Sequence, residues 1–249
     1  MKVKAILVAG GYGSRLNPFT KYTQKTLLPL FERPVIDYAL GTIRRSGVKD
    51  ITIISNQFIG QIAKHVGAGF KGEKIHYVME ETPSGVAGAL ELARPHNEGC
   101  RLLIYFSDNI TTVELDAAVE QFNSSQGNPG CVLLAREEKN PEAFGVAVLG
   151  DNNKVIDIVE KPTNPPSNLA IGGIYLFDER FWQFLDEGVA EKGDDFSISD
   201  VTRRYVKDGS ASLLTVGEET WVDCGTAESL LQASIMARDG KLNPKPHRD

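Results

Sequence analysis

The spacing of apolar residues changes along this chain and divides it into two unlike halves. In the first half, short β-branched runs alternate with segments of helical period. Lys4 to Ala9 predicts a buried strand and Val35 to Ser46 a helix with Pro34 at its first turn. Ile51 to Ser55 predicts a strand, Phe58 to Val66 a helix, Ile75 to Met79 a strand and Val86 to Ala93 a helix. Leu102 to Phe106, Val113 to Asn123 and Cys131 to Ala135 continue as strand, helix and strand. Such alternation predicts an α/β fold with a mostly parallel sheet and helices on both faces.

The second half is richer in strands and less regular. Gly145 to Leu149 and Lys154 to Val159 flank Gly150-Asp151-Asn152-Asn153, a hairpin signal. Ala170 to Phe177, Ser212 to Val216 and Trp221 to Asp223 predict strands. Phe181 to Asp186, Ile198 to Val206 and Ala227 to Ala237 predict helices. Residues 238–249, polar with two prolines, predict a loose tail.

Composition narrows the class. Of 249 residues 41% are hydrophobic and 24% charged, as in ordinary globular proteins, and no apolar run approaches the ~20 residues of a membrane span. The three cysteines, Cys100, Cys131 and Cys224, make neither a disulfide framework nor a zinc motif, so a reducing, cytoplasmic setting is expected. A net charge of −6 argues against nucleic-acid binding. If so acidic a chain binds phosphates, it must gather its few cations in one place.

One segment does so. Leu7-Val8-Ala9-Gly10-Gly11-Tyr12-Gly13-Ser14-Arg15-Leu16-Asn17-Pro18 puts three glycines after the first strand, where backbone can approach a ligand and aim N–H groups at phosphate oxygens. A Walker loop is absent, and a dinucleotide fingerprint would need glycine where Leu16 stands. Pro18 and Pro29 imply a long excursion before the first helix, and it carries Arg15 and Lys25. A glycine turn beside two solvated basic residues is the plain alternative.

In this segment, with Lys25-x-Leu27-Leu28-Pro29 and Pro34-Val35-Ile36, the chain resembles the sugar-1-phosphate nucleotidyltransferase family. Its glucose-1-phosphate thymidylyltransferase subgroup is the nearest by eye. Pro83-Ser84-Gly85-Val86-Ala87, Ser107-Asp108-Asn109, Phe144-Gly145-Val146 and Glu160-Lys161-Pro162 match in order. So do Gly172-Gly173-Ile174-Tyr175, Ile198-Ser199-Asp200-Val201 and Trp221-Val222-Asp223-Cys224-Gly225-Thr226. Each piece is weak alone; the ordered set is specific.

The resemblance implies a Rossmann-like fold of nucleotidyltransferase or glycosyltransferase-A type with a β-rich sugar-binding lobe. It implies one domain over 1–237, with a nucleotide-binding half of about 1–112 and a sugar-phosphate-binding half of about 113–237. The implied reaction is attack of a sugar 1-phosphate on a nucleoside triphosphate, releasing pyrophosphate. Gly10, Gly11, Gly13, Ser14, Glu80 and Gly85 would hold the nucleotide. Arg15, Lys25 and Lys161 would be catalytic. Gly145, Glu160, Lys161, Gly173 and Tyr175 would hold the sugar phosphate, and Asp108 and Asp223 one Mg²⁺. The family also implies a homo-oligomer.

Two departures stand out. Glu80 takes the place of the subgroup's base-reading glutamine, and a carboxylate only accepts hydrogen bonds. Thymidine or uridine is favoured by the overall resemblance, with guanylyl or cytidylyl transfer to another sugar 1-phosphate as alternatives. Gly193-Asp194-Asp195-Phe196-Ser197 replaces a basic residue and a Glu-Leu-Glu run, so the sugar is open. A silent regulatory homologue would typically lose Arg15, Lys25, Asp108 or Asp223, yet all four are present. A glycosyltransferase would normally carry an Asp-x-Asp motif at a strand end, and none is found.

Overall fold

The computed structural model describes residues 2–82, 84–123, 129–151, 154–217 and 219–242. Two of the sequence features, Asn152-Asn153 of the hairpin signal and 243–249 of the tail, lie outside the described residues, as does Pro83.

In chain order the first half runs β1 (Val3–Ala9), β2 (Pro29–Leu30), β3 (Arg33–Pro34), α1 (Val35–Arg45), β4 (Asp50–Ser55), α2 (Ile59–Val66), β5 (Lys74–Met79), α3 (Gly85–Asn97), β6 (Arg101–Phe106), β7 (Asn109–Thr111) and α4 (Asp116–Asn123). There follow β8 (Cys131–Glu137), β9 (Gly145–Leu149), β10 (Val155–Glu160), β11 (Leu169–Phe177), α5 (Phe181–Lys192), α6 (Ile198–Lys207), β12 (Ala211–Val216), β13 (Trp221–Asp223) and α7 (Ala227–Arg238). The main sheet has nine strands in the order β10-β9-β11-β6-β1-β4-β5, with β8 on β11 and β12 on β8. β6, β1, β4 and β5 are mutually parallel, whereas β11 runs antiparallel to β6, β8 and β9.

Alternation along β1 explains the layering. Ala5 and Leu7 face a core built with Ile36, Leu40 and Ile43 of α1 and Val119 and Phe122 of α4. Ile6, between them, faces Leu90 of α3, Phe181 of α5 and Tyr205 of α6. With both sides covered, the strand reads as a continuous apolar run. A third cluster joins Leu30, Tyr38, Ile110 and Cys224 to Ala233 of α7 and to Leu242, which is only 3% exposed. Residues expected in the tail therefore begin packed. Among the described residues no helix is long and apolar enough to cross a membrane.

Three differences from the sequence expectation have local causes. α3 continues past Ala93 despite Pro95, because Asn97 Nδ2 donates to the Ala93 carbonyl at 2.7 Å and to Thr52 Oγ1 at 2.9 Å. α4 starts at Asp116 rather than Val113, since Thr112 N–H and Thr111 Oγ1 both donate to the Thr220 carbonyl and hold the chain extended. The short strands β2, β3 and β7 have no periodicity to announce them; β7 exists because β13 returns beside it, Asp223 opposite Asn109.

Candidate active site

β1, β4, β5 and β6 end on the same edge of the sheet, where open α/β folds place ligands. The chain leaves these ends at Gly10, Asn56, Glu80 and Ser107-Asp108. The glycine segment does not wander loosely. It folds into short helical turns at Ser14–Leu16, Phe19–Lys21 and Lys25–Leu27. Gly13 has φ +60°, and a Cβ there would lie 2.9 Å from Thr20 Cγ2 and 3.0 Å from Lys25 Cβ. Thr20 Oγ1 donates to the Gly13 carbonyl at 2.8 Å. Buried Gln24 ties the far end down, its amide donating to the Ala9 carbonyl and, at 3.2 Å, to Ser55 Oγ. Gly13 is thus the platform that aims Lys25.

Lys25 Nζ is bonded and ion-paired to Asp108 Oδ2. The Asp223 carboxyl is held above the ordinary carboxylate range, first by burial and then by the charge of Asp108, with Lys25 and Arg15 pulling the other way. Gly225 makes this convergence sterically feasible. Its missing Cβ would fall 2.7 Å from both Arg15 Nη2 and Asp223 Oδ1. Two carboxylates from distant parts of the chain therefore meet two cations at one point.

Two cavities adjoin there, sharing Phe106 and Asp108 in their walls. The first, about 270 Å³, has Gly10, Gly11, Lys25, Glu80, Gly85 and Asp108 around apolar Val8, Val86 and Ala89. The second, about 230 Å³, includes Gly145, Glu160, Gly173, Tyr175 and Asp223. Of the residues expected in the site, Gly13, Ser14, Arg15 and Lys161 line neither cavity. Gly13 acts from behind through Lys25, Ser14 opens the following turn, and Arg15 stands over Gly225. Lys161 sits in left-handed backbone at φ +43°, its side chain 68% exposed and 3.6 Å from Glu160. Tyr175 is both wall and core: buried, it stacks on Phe177 and meets Phe106 edge-on.

Sequence reasoning gave no role to Asn109, the best-connected residue of the site. Its Nδ2 donates to Asp108 Oδ1 at 3.1 Å and to the Phe106 carbonyl at 3.2 Å. Its Oδ1 accepts from Gly173 N–H at 3.1 Å and from Trp221 Nε1 at 2.8 Å. One buried side chain thereby joins β6, the sugar-side strand β11 and the strand that carries Asp223. Ser199, which donates to Glu160 Oε2 at 2.6 Å, was likewise unassigned. No periodicity marks either residue; both fall within the matched motifs Ser107-Asp108-Asn109 and Ile198-Ser199-Asp200-Val201, and pairing across the chain shows what each one holds.

The hard-oxygen, two-carboxylate set and its flanking cations suit a reaction between phosphates, and the fold is that of nucleotidyltransferases. A Bacillus anthracis protein provisionally assigned as a glucose-1-phosphate thymidylyltransferase, solved with sucrose, superposes with a TM-score of 0.87 at 34% identity, over 95% of this chain and 96% of that one. A UDP-glucose pyrophosphorylase complexed with UDP-glucose shares the fold, with TM-score 0.83 at 20% identity over 96% of this chain and 100% of that one. The glucose-1-phosphate thymidylyltransferase of Neisseria meningitidis serogroup A is 32% identical over 236 residues, 93% of this chain and 81% of the relative. The sequence profile described as nucleotidyl transferase matches residues 4–239. The chain belongs to the nucleotidyl transferase family and is an enzyme of that class.

Proposed function

We propose that the enzyme transfers a nucleotidyl group from dTTP or UTP to a sugar 1-phosphate, glucose 1-phosphate foremost. A phosphate oxygen of the sugar 1-phosphate bonds to the α-phosphorus, the bond from that phosphorus to the bridging oxygen breaks, and pyrophosphate leaves with the electron pair. The products are an NDP-sugar and pyrophosphate. The observation that carries this reading is the meeting of Lys25, Arg15, Asp108 and Asp223 where two cavities join.

The nucleophile is ionised at neutral pH, so no general base is needed. The task is to bring polyanions together and to neutralise the departing charge. In this reading Gly10, Gly11 and Gly85 let the triphosphate approach closely, and Gly13 and Ser14 shape the turn beside it. Lys25 and Arg15 bind the triphosphate and stabilise the leaving group. Glu160, oriented by Ser199, accepts from a sugar hydroxyl, and Lys161 on the rim binds the sugar phosphate. Gly145 and Gly173 keep space for the sugar ring beside Tyr175.

Asp108 and Asp223 fit a hard divalent cation such as Mg²⁺: both are oxygen donors, and burial together with the charge of Asp108 disfavours the ionised form of Asp223 until a further positive charge arrives. Asp108 and Asp223 would hold the ion, and its chemistry there would be to offset the negative charge of the reacting phosphates. In this scheme residues of about 1–112 serve the nucleotide and those of about 113–237 the sugar phosphate. A cytoplasmic homo-oligomer is part of the proposal, supported by the three free cysteines and by the family resemblance.

A pyrophosphate-release assay over dTTP, UTP, GTP, CTP and ATP against a panel of sugar 1-phosphates tests the reading. Lys25→Ala and Asp108→Ala should each lower kcat by about 100-fold or more with the fold retained by circular dichroism. Near wild-type turnover in either variant would remove that residue from the mechanism.

A further inference from the structure

Tyr12 stands in the wall of the first cavity with 57% of its surface exposed. Phe19 and Tyr22, further along the same excursion, are more exposed still but line neither cavity. The residues on either side of Tyr12 explain its placement. A Cβ on Gly11 would lie 3.6 Å from Lys25 Nζ, and one on Gly13 would lie 3.0 Å from Lys25 Cβ. The lysine stem thus takes the room that side chains at both positions would need. The segment presents one side chain, Tyr12, between two bare positions. Among the described residues that side chain makes no hydrogen bond and no ring contact. The fold makes no use of its hydroxyl.

The cavity, meanwhile, is short of donors. Among the side chains that line it only Tyr12 and Lys25 carry an O–H or N–H, and Lys25 is bonded to Asp108. Glu80 and Asp108 add two carboxylates to the same wall. A triphosphate entering here brings several negative charges and a row of acceptor oxygens, and each one left unpaired weakens its binding. The Tyr12 hydroxyl is the uncommitted side-chain donor. Its place along the cavity decides which oxygens it meets. The missing Cβ of Gly10 would fall 2.8 Å from Glu80 Oε2, whereas that of Gly11 falls beside Lys25. The chain therefore runs from the Glu80 end of the cavity to its cationic end, and Tyr12 follows Gly11 there.

We propose that Tyr12 is a further substrate-binding residue, whose hydroxyl donates to the β- and γ-phosphates, the part of the triphosphate that departs as pyrophosphate. The proposal rests on reading this cavity as the nucleotide site. A phenol-to-phosphate hydrogen bond is charge-assisted, but water competes for it at a half-exposed position, so its loss should weaken binding about fivefold to twentyfold. The test is Tyr12→Phe, which removes one oxygen and keeps the ring. Calorimetric titration with Mg²⁺ and no sugar phosphate takes the triphosphate that wild type binds most tightly, from the same five. It is compared with the matching monophosphate, which keeps the base, the sugar and the α-phosphate.

Tyr12→Phe should bind the triphosphate about fivefold to twentyfold more weakly and the monophosphate within about twofold of wild type. Its thermal midpoint should match wild type. In the reverse reaction, the KM for pyrophosphate should rise by a similar factor while that for the NDP-glucose holds. An equal loss for the monophosphate would place the hydroxyl on the nucleoside or the α-phosphate and overturn the proposal. Wild-type triphosphate affinity, an unchanged KM for pyrophosphate or a lowered midpoint in Tyr12→Phe would overturn it too. Wild type binding none of the five triphosphates would remove the nucleotide reading and this proposal together. Turnover with no sugar 1-phosphate would sink the proposed reaction alone, since the calorimetric comparison needs no reaction.

Discussion

Replacing Asn109 by Asp changes one NH₂ group to oxygen at nearly constant shape, and the structure lets the consequence be worked out. The two bonds accepted by Oδ1, from Gly173 N–H and Trp221 Nε1, can survive. The two donated by Nδ2 cannot, and the incoming oxygen faces the Phe106 carbonyl and Asp108 Oδ1. Each lost contact, with its acceptor now facing another acceptor, costs about 1–2 kcal/mol in all. A second negative charge at the 3.1 Å separation adds a Coulomb repulsion of about 5 kcal/mol at an effective dielectric of ~20. Solvent and Lys25 at this partly open site screen much of that. A net destabilisation of about 2–5 kcal/mol follows for the protein without divalent cation, read as a shifted urea midpoint. Because the new charge faces Asp108, added Mg²⁺ should recover part of the loss. Asn109→Ala, with no such charge, should show no comparable Mg²⁺-dependent recovery beyond that of wild type. Turnover of Asn109→Asp should fall about 100-fold as Asp108 is re-aimed. Wild-type stability with unchanged turnover would refute the view that Asn109 holds Asp108 in place.

Other outcomes follow from single contacts. Gly13→Ala forces a side chain into left-handed backbone and against Thr20 and Lys25, so stability should drop about 1–3 kcal/mol and kcat more than tenfold, measured by urea melts and pyrophosphate release. Thr226→Ala removes the side chain that accepts from Ser229 N–H at 3.1 Å at the start of α7, and should cost about 1 kcal/mol with kcat nearly unchanged. Phe177→Ala, which empties a fully buried ring position among Tyr175, Phe181 and Tyr205, should cost about 3–5 kcal/mol in the same melts.

Much of this molecule is legible before folding. Short β-branched runs such as Lys4–Ala9 and Ile51–Ser55 read as strands buried on both faces, and their alternation with amphipathic helices predicts the layered sheet that is found. The three glycines after β1 and the nearby Lys25 point to phosphate binding, because bare backbone can aim N–H groups at phosphate oxygens, although a glycine turn beside solvated cations fits the same residues. Local sequence also carries the unusual Glu80.

Tertiary structure alone decides what those residues can do. Asp108 and Asp223 lie 115 positions apart and become neighbours only because β13 pairs with β7. The work of Asn109 exists in bonds to Gly173 and Trp221, which no spacing along the chain encodes. Gly13 is read in sequence as a phosphate ligand, and the fold shows in addition that its lack of a side chain leaves room for Thr20 and Lys25. For Glu80 the chain supplies a carboxylate, and the fold brings Ser84 N–H and Oγ onto its Oε1 at 3.1 Å and 3.3 Å. Periodicity reports burial, a property of each residue with its own element. Hydrogen bonds between distant elements depend on register, and register is set only when the whole sheet has assembled.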